Sequence, residues 1–384
     1  MLKVGIDVLQ ASNFEALIGK RVGLFTNPSA VNAEMVTSYQ SMVDAEQVNL
    51  VALFGAEHGL FGAVQDGETI DNMVDSATGI PIRSLYGNQY RPSAEMLADI
   101  DVMVCDIQDI GVRYYTYQWT MTHVIEACGE HGIPVIVLDR PNPLGDVVAG
   151  RSLQEGISSL VGRFNVPNQH GMTIGEMMQL CNAKWNPNPA ELTVISCEDY
   201  QRTMTWDAVG RPFIPPSPNM PHLSTVQHYV GSCLIEGTNL SEGRGTTLPF
   251  EIVGAPFIDG RLLASELNAL NLPDVRFRPH AFMPSVRKFA NEVCDGVQVH
   301  IMGEDYDPLL TWLHVIYMIK AMYPDEFGWL PPYQESDYPM FDKLIGSDKP
   351  RQLLDDGASV DEVIQGWNTD VQAFRAMREP YLIY

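Results

Sequence analysis

The chain has 384 residues, of which 45% are hydrophobic and 19% charged, which is typical of a folded protein with ample apolar side chains for a core. This length exceeds the size at which one hydrophobic core usually keeps growing, and it favours two domains or one domain with a large appendage. With 48 acidic residues against 24 Lys and Arg, the net charge of −24 repels phosphate backbones and makes nucleic acid a poor partner.

The amino terminus and the cysteines exclude further classes. Met1–Asp7 lacks the basic and apolar regions of a signal peptide, and no apolar run approaches the roughly 20 residues of a transmembrane helix. The sequence therefore predicts a soluble chain with no membrane span and no export signal. The six cysteines form no Cys-x-x-Cys pair, which argues against a zinc ribbon or a redox motif.

Short apolar runs of strand character alternate with helical patterns over the first 140 residues or so. The predicted strands are Arg21–Thr26, Val48–Phe54, Val102–Asp106 and Pro134–Asp139, and the predicted helices lie at about 32–45, 93–99 and 116–130. This alternation predicts an α/β fold with a doubly wound, mainly parallel sheet.

Polar side chains follow each of these four strands. They are Asn27 after the first, Glu57 and His58 after the second, Asp106, Gln108 and Asp109 after the third, and Asn142 after the fourth. Because the carboxyl ends of parallel strands meet at one edge of the sheet, where open α/β sheets bind ligands, the sequence predicts a pocket there.

Glu57 has the most informative surroundings of these residues. It directly follows a strand and lies among Gly55, Gly59 and Gly62, which permit a sharp bend and leave room for a ligand. In a partly closed crevice a carboxyl group loses solvation, so that it can hold a proton at neutral pH and act as a general acid. The alternatives are a metal site with His58, or a loop that only caps the next helix.

The segment Asp106–Tyr117 combines acids, an amide, an arginine and three tyrosines in twelve residues. An N-capping aspartate and a salt-bridged arginine would explain part of this composition. Flat tyrosine rings and the forked cation of Arg113 also suit a sugar or carboxylate ligand, and we therefore predict that Arg113 and Tyr115 bind one.

The rest of the chain has a looser pattern. We predict helices at Thr173–Lys184, with Thr173 as N-cap and Glu176 completing a capping box, and at Ser224–Glu236. The proline-rich segment 212–221 is predicted to be a loop. After Pro256 the patterns predict a helix at 260–270, a strand at Gly296–Met302, and helices at about 307–321 and 359–378, which we assign to a second domain.

The segment Glu236–Thr247 is rich in glycine and hydroxyl groups but lacks the order of a phosphate-binding P-loop. Glu242 and Arg244 within it either pair with each other or face a substrate. The sequence also has no dinucleotide-binding fingerprint, no Gly-x-Ser-x-Gly elbow and no His-Glu-x-x-His motif.

Taken together, the motifs of this chain resemble those of the DUF1343 family, the exo-acting β-N-acetylmuramidases of the NamZ type. The resemblance rests on Gly55–Gly59 with Asp66–Gly67, Asp106–Tyr117, Leu138–Gly145, His170–Glu176, Pro216–Pro221 and Glu236–Pro249. It implies a Rossmann-like domain without a nucleotide, expected at 1–255, and a smaller α+β domain at 256–384 that closes the active-site cleft. Because family members usually carry an export signal, it also implies a periplasmic or secreted protein, although this sequence leaves a cytoplasmic location open.

The implied reaction is the release of N-acetylmuramic acid from the non-reducing end of a peptidoglycan-derived glycan or muropeptide, without a metal or organic cofactor. The family's catalytic glutamate corresponds to Glu57. For a second carboxylate we predict Asp109, followed by Asp106, Glu68 and Glu242, unless the 2-acetamido group of the sugar takes its place. The predicted substrate-binding residues are Asn27, His58, Gln108, Arg113, Tyr115, Asn142, His170, Asn219, Glu242 and Arg244, with Arg113 or Arg244 binding the lactyl carboxylate.

Two rival functions follow from the same residues. One is a non-catalytic protein that captures cell-wall fragments in a cleft. The other is a metal-dependent hydrolase with His58, Asp106 and Asp109 as ligands.

Overall fold

The computed structural model describes residues 2–62, 71–87, 89–332 and 337–384. The predicted candidate Glu68 and the motif residue Asp66 lie outside these residues. The described strands are β1 (Arg21–Thr26), β2 (Asn49–Gly55), β3 (Met73–Val74), β4 (Pro81–Ser84), β5 (Val102–Asp106), β6 (Val135–Leu138), β7 (Leu192–Ile195), β8 (Ile252–Ala255), β9 (Val275–Pro279) and β10 (Asp295–Ile301).

Helices account for much of the rest of the described chain. They are α1 (Gly5–Ala11), α2 (Ser38–Val43), α3 (Ala94–Leu97), α4 (Thr116–Glu130), α5 (Ile174–Lys184), α6 (Trp206–Val209), α7 (Leu223–Ser232), α8 (Gly260–Ala269), α9 (Pro308–Met322), α10 (Met340–Ile345), α11 (Lys349–Asp355), α12 (Val360–Ile364) and α13 (Trp367–Arg378). Among the residues that the model describes, no helix is both long enough and apolar enough to cross a membrane.

The larger sheet has the order β3-β4-β2-β1-β5-β6-β7 and is parallel except for β3, which pairs antiparallel to β4. The central strands are buried on both faces. Val102 and Val104 of β5 pack into the hydrophobic cluster on one face, whereas Met103 and Cys105 pack into the cluster on the other. Because these strands are buried on both faces, their sequences are continuous apolar runs. The predicted fold class is confirmed.

A smaller antiparallel sheet, with the order β8-β10-β9, lies in the carboxyl-terminal part. Helix α8 follows β8, and its N-cap Asp259 accepts hydrogen bonds from the backbone amides of Arg261 and Leu262. The division into 1–255 and 256–384 stays a prediction. Strand β8 ends at the predicted boundary and pairs with β10 of the smaller sheet.

Most predicted elements agree with the structure, and three differ from it. The helix predicted at Ser224–Glu236 is α-helical only as far as Ser232 and continues as a 3-10 helix over Cys233–Gly237. The helix predicted at 32–45 forms only over Ser38–Val43, because the side chain of Asn32 accepts hydrogen bonds from the amides of Glu34 and Val36 and holds a turn before it. The single helix predicted at 359–378 is wrong. Gly366 has a φ of 88°, a left-handed conformation that breaks this segment into α12 and α13.

Candidate active site

The loop that carries Glu57 bends sharply at the end of β2. The backbone leaves the strand through His58, Gly59 and Gly62, which have φ values of 68°, 74° and 66°. A Cβ atom at Gly55 would lie 2.8 Å from the amide nitrogen of Leu60, so only glycine fits where the loop folds back on the strand. The bend places Glu57 at the carboxyl edge of the sheet, as the sequence predicts.

Two hydroxyl groups hold the carboxyl group of Glu57. The Tyr86 hydroxyl lies 2.7 Å from Oε1, and the Thr116 hydroxyl, at the start of α4, lies 2.7 Å from Oε2. The Tyr117 hydroxyl lies 3.3 Å from the backbone carbonyl of the same glutamate. Both carboxyl oxygens therefore have fixed positions, and both are held by neutral donors rather than by a cation.

The proline-rich segment packs against this bend. The carbonyl of Pro216 accepts hydrogen bonds from the Tyr117 hydroxyl at 2.9 Å and from the Asn27 side chain at 3.4 Å. The hydroxyl of Ser217 lies 3.1 Å from Nε2 of the buried His58. His58 thus links the Glu57 loop to the proline-rich loop, which forms one wall of the site.

These elements line a partly open pocket with a cavity volume of about 50 Å³. Its lining combines the Glu57 loop, the start of α4, the proline-rich loop, α7 and the segment before β8. The residues are Glu57, His58, Tyr114, Tyr115, Thr116, Tyr117, Ser217, Asn219, Met220, Tyr229, Arg244 and Phe250. A carboxyl group, an amide, hydroxyl groups and a guanidinium thus converge on one cavity.

Aromatic rings dominate the pocket wall. The ring of Tyr115 meets Tyr117 edge-on at 5.1 Å, and Tyr229 meets Phe250 edge-on at 4.7 Å. Burial raises the pKa of Tyr115 and Tyr229 well above the usual range, so both phenols stay neutral at physiological pH. Flat apolar rings that carry hydroxyl groups suit the faces and hydroxyls of a sugar.

Arg244 supplies a cation to the pocket. Its guanidinium lies 5.0 Å from the ring centre of Phe250 and forms an ion pair with Glu236 at 2.9 Å. Glu242 is buried beside it and forms an ion pair with Lys288 at 3.0 Å. Burial opposes the charge on Glu242, but Lys288 and Arg244 outweigh that effect and lower its pKa.

Of the predicted site residues, Glu57, His58, Tyr115, Asn219 and Arg244 line the pocket, and Glu242 lies next to Arg244. The side chain of Asn27 lies beside the same loops, but it forms hydrogen bonds with Ser29 and with the carbonyl of Pro216. The remaining predicted residues do not line this pocket. They are Asp106, Gln108, Asp109, Arg113, Asn142 and His170.

Arg113 is not at the pocket, because its side chain is completely buried elsewhere. The guanidinium donates to the carbonyls of Arg151, Val166 and Leu344 at 2.6 to 2.8 Å. Burial lowers its pKa to about 10, still above physiological pH. Arg113 therefore connects loops of the larger sheet to α10, and Arg244 is the arginine that lines the pocket.

The third and fourth strand ends bury their polar groups in structural contacts. Asp106 forms an ion pair with Arg140, whose Nη2 lies 2.9 Å from Oδ2, and also accepts from the hydroxyl of Ser38. The side chain of Gln108 donates to the carbonyls of Asp109 and Pro141. These contacts stabilise the loops at the edge of the sheet.

Asp109 and His170 form a second buried pair. Oδ2 of Asp109 accepts from the amide of Gly111 at 2.8 Å and lies 3.5 Å from Nε2 of His170. The side chain of Asn142 donates to the carbonyl of Met172 at 3.1 Å and holds the neighbouring loop. Asp109 thus lies within the packed interior, with 4% of its surface exposed.

His58, Asp106 and Asp109 do not come together as the metal-dependent alternative requires. His58 contacts Ser217, Asp106 contacts Arg140, and Asp109 contacts His170. Over the described ranges, the structure contains no group of three or more His, Cys, Asp and Glu side chains arranged to hold a metal ion.

Comparison with known proteins shows the family of this chain. Residues 22–224 match the family model described as Exo-beta-N-acetylmuramidase NamZ, N-terminal, and residues 227–384 match the C-terminal model of the same family. This chain belongs to the NamZ family. The family resemblance inferred from the motifs is confirmed.

Two kinds of relative support the assignment to the NamZ family. The chain is 42% identical to the peptidoglycan beta-N-acetylmuramidase NamZ of Bacillus subtilis strain 168, over 100% of this chain and 91% of that protein. It is also similar to two crystal structures of DUF1343 family proteins from Bacteroides fragilis NCTC 9343, with TM-scores of 0.91 and 0.78 and identities of 36% and 31%. Each comparison covers 100% of this chain and 99% of the other.

Several residues of this NamZ family member that line the pocket or contact the acids near it were not predicted from the sequence. Tyr86 holds Glu57 from the loop after β4, and Tyr229 and Phe250 enter from α7 and from the segment before β8. Lys288 reaches Glu242 from a loop between β9 and β10. Their local patterns resemble ordinary core or surface positions, so no nearby signal marks them. Thr116, in contrast, lies in a motif that the sequence does single out.

Proposed function

We propose that this chain is a glycoside hydrolase that releases N-acetylmuramic acid from the non-reducing ends of peptidoglycan fragments, with Glu57 as the general acid. The observation that carries the proposal is the carboxyl group of Glu57, fixed by two hydroxyl donors in a pocket lined by aromatic rings. Membership of the NamZ family supplies the substrate class. That substrate and the family resemblance also support a periplasmic or secreted location.

The proposed chemistry begins with a proton on Glu57. As the bond between C1 and the bridging oxygen breaks, the glutamic acid transfers its proton to that oxygen, and the aglycone leaves as an alcohol. Water then supplies a hydroxyl group to C1, and its remaining proton returns to a carboxylate. Tyr86 and Thr116 keep the carboxyl oxygens oriented throughout.

A second group must assist at C1. We propose Asp109 for this role, as the sequence predicts, with the 2-acetamido group of the sugar as the alternative. Asp109 lies in the interior beside His170, so its participation requires that substrate reach a carboxylate that is now 4% exposed.

The test is hydrolysis of a chromogenic β-glycoside of N-acetylmuramic acid. Glu57→Gln keeps the size of the side chain and one acceptor oxygen but has no acidic proton to donate, so we expect kcat to fall by about 10³-fold. Glu198→Gln, an exposed surface change, is the matched control and should leave kcat unchanged. In the same assay Asp109→Asn should also lower kcat strongly, whereas an unchanged kcat would favour the acetamido group.

Two results would contradict the proposal. Activity of the Glu57→Gln variant within a few-fold of wild type would rule out this residue as the acid. Saturable binding of muramyl fragments by the wild-type protein without release of reducing sugar would favour a binding protein instead.

A further inference from the structure

A second cavity lies at the same edge of the larger sheet as the pocket of Glu57. Its volume is about 600 Å³, within the range of about 300 to 1,000 Å³ that is typical of small-ligand sites. Its walls are the loop that follows β6, the segment 202–207 that follows β7, helix α7, and the connection from β10 to α9. Because open α/β sheets bind ligands beyond the carboxyl ends of their strands, this position suits a ligand.

The second cavity is distinct from the pocket of Glu57. Helix α7 forms a wall of both, but Tyr229 lines the pocket of Glu57 whereas Gln227 and Val230 line the second cavity. In the sheet, β1 and β5 lie between β6 and the strand that leads to Glu57. A ligand of the second cavity therefore goes beyond the proposed reaction.

Gln169 brings an unpartnered amide to this cavity. The residue is only 5% exposed, and its backbone N–H and carbonyl bond to Ala149 at 3.0 and 3.1 Å. Within the described part of the chain its side-chain amide has no hydrogen-bond partner, yet the amide atoms are not sealed from solvent. Because a largely buried amide without a partner is costly, a ligand that bonds to it gains affinity. An amide donates and accepts at once, which matches a peptide group.

Carboxylates dominate the charge at the cavity wall. Asp146, Asp207 and Glu304 line it together with Arg202, whose Nη1 lies 3.1 Å from the carboxylate of the buried Glu176. Asp207 and Glu304 form no ion pair with any residue that the structure describes. Their charges are therefore available to attract a cation and repel a ligand with carboxylates of its own.

Apolar side chains complete the wall. Val147 lines the cavity with 48% of its surface exposed, and Leu144 and Ile301 line it as well. Trp206 is held by an edge-on contact with Phe213, with the ring centres 5.7 Å apart. An aliphatic part of a ligand would cover these side chains, and an aromatic ring can also receive a cation.

We infer that the second cavity binds a short peptide that carries an ammonium group. Gln169 bonds to a peptide group, Asp207 and Glu304 attract the ammonium, and the apolar wall packs against an aliphatic side chain. A small amine would leave most of the cavity empty, and an acidic glycan would be repelled by the carboxylates.

The experiment measures binding by calorimetry with two probes, N-acetyl-Leu-Lys amide and N-acetyl-Leu-norleucine amide. The side chains of lysine and norleucine have the same carbon chain, and only lysine adds an ammonium group. The lysine probe should bind with a Kd of about 0.5 mM or lower. The norleucine probe should bind about fivefold more weakly, since it lacks the contact with the carboxylates.

Two variants separate the amide from the charges. Gln169→Met keeps the length of the side chain but removes its donors and acceptor, so both probes should bind about five- to tenfold more weakly. The combined change Asp207→Asn and Glu304→Gln should weaken only the lysine probe and abolish the preference between the two. Gln365→Met, at an exposed glutamine after α12, is the control and should bind both probes as wild type does.

Equal affinity of the wild-type protein for the two probes, or unchanged binding by Gln169→Met, would overturn the inference. If Gln169→Met fails to fold, hydrogen–deuterium exchange on the wild-type protein decides. Saturation with the lysine probe should slow exchange in 202–207 and 301–308, and unchanged exchange in both segments would overturn the inference.

The proposed hydrolase activity is tested separately, because the binding assay contains no glycoside. Glu57→Gln should bind the lysine probe as wild type does even though its turnover is lost. Loss of binding in that variant would place the peptide in the pocket of Glu57 and overturn the inference.

Discussion

At the scale of single residues, the hydrogen bond from Thr116 to Glu57 allows the orientation of the carboxyl group to be tested separately from its ability to donate a proton. Thr116→Val has nearly the same shape as threonine but removes the hydroxyl that lies 2.7 Å from Oε2. With one of its two donors gone, the carboxyl group can rotate away from the bridging oxygen, so we expect kcat to fall by roughly tenfold with KM little changed. Steady-state kinetics on the muramic acid glycoside measure both constants.

Thr120→Val is the matched control, since Thr120 lies one turn further along α4 and, within the described part of the chain, its hydroxyl bonds only to the carbonyl of Thr116, at 3.4 Å. It should leave kcat within about twofold of wild type, as expected of a long hydrogen bond away from the substrate. If Thr116→Val behaves like this control, its hydroxyl does not orient the acid.

The same scale shows which site residues could be predicted from the sequence. Glu57 could be predicted, because the glycines around it are its neighbours in the chain and indicate the bend directly. The sequence could not show whether Arg113 or Arg244 lines the pocket. Both lie in motifs rich in polar residues, and only the packing shows that one donates to three carbonyls and the other faces the pocket.

At the scale of elements, buried Arg113 connects segments that are far apart in the chain. Arg113→Met removes the donor to the carbonyls of Arg151 and Val166, whereas the carbonyl of Leu344 keeps its hydrogen bond from the side chain of Asn168. Because each buried, unsatisfied carbonyl costs about 1 to 3 kcal/mol, we expect the free energy of unfolding to fall by roughly 3 to 5 kcal/mol. Equilibrium denaturation in urea measures the change.

Arg375→Met, on the exposed face of α13, is the control and should change stability by less than about 0.5 kcal/mol. In the fraction that stays folded, Arg113→Met should keep kcat/KM for the muramic acid glycoside near that of wild type. A large fall in kcat/KM with unchanged stability would show instead that Arg113 contacts the substrate.

Elements differ in how far local sequence determines them. Helix α5 agrees with the sequence because its capping box is local: the hydroxyl of Thr173 accepts from the amide of Glu176, whose side chain accepts in return from the amide of Thr173. The short strands β3 and β4 gave no comparable signal, since two to four residues show no periodicity and gain their structure from pairing with each other and with β2. The local sequence thus predicted the central parallel strands and α5. It did not predict the strands at the edge of the sheet, because these depend on pairing with other strands.

At the scale of the whole molecule, the described structure buries a titratable group that makes stability depend on pH. His228 lies inside α7 with Nδ1 2.8 Å from the hydroxyl of Tyr306. Burial is the main reason why its pKa falls from 6.5 to about 3. Between these two values the unfolded chain binds a proton that the folded chain does not bind, so stability falls as the pH falls through this window.

The linkage between proton binding and folding gives the size of the effect. Lowering the pH from 8 to 5 should cost about 2 kcal/mol through His228 alone. His228→Gln keeps a group that can bond to Tyr306 but does not titrate, so its free energy of unfolding should decline by about 2 kcal/mol less than that of wild type over the same range. His131→Gln, at an exposed position after α4, should decline as wild type does.

The net charge of −24 acts in the opposite direction, because protonation of carboxylates at acid pH relieves repulsion across the surface. Salt distinguishes the two contributions, since it screens exposed charges but hardly reaches a histidine that is buried. The difference between His228→Gln and wild type should therefore persist in 0.5 M salt, a concentration at which the Debye length is only about 4 Å. If the difference disappears in salt, surface repulsion rather than burial of His228 controls the acid stability of the protein.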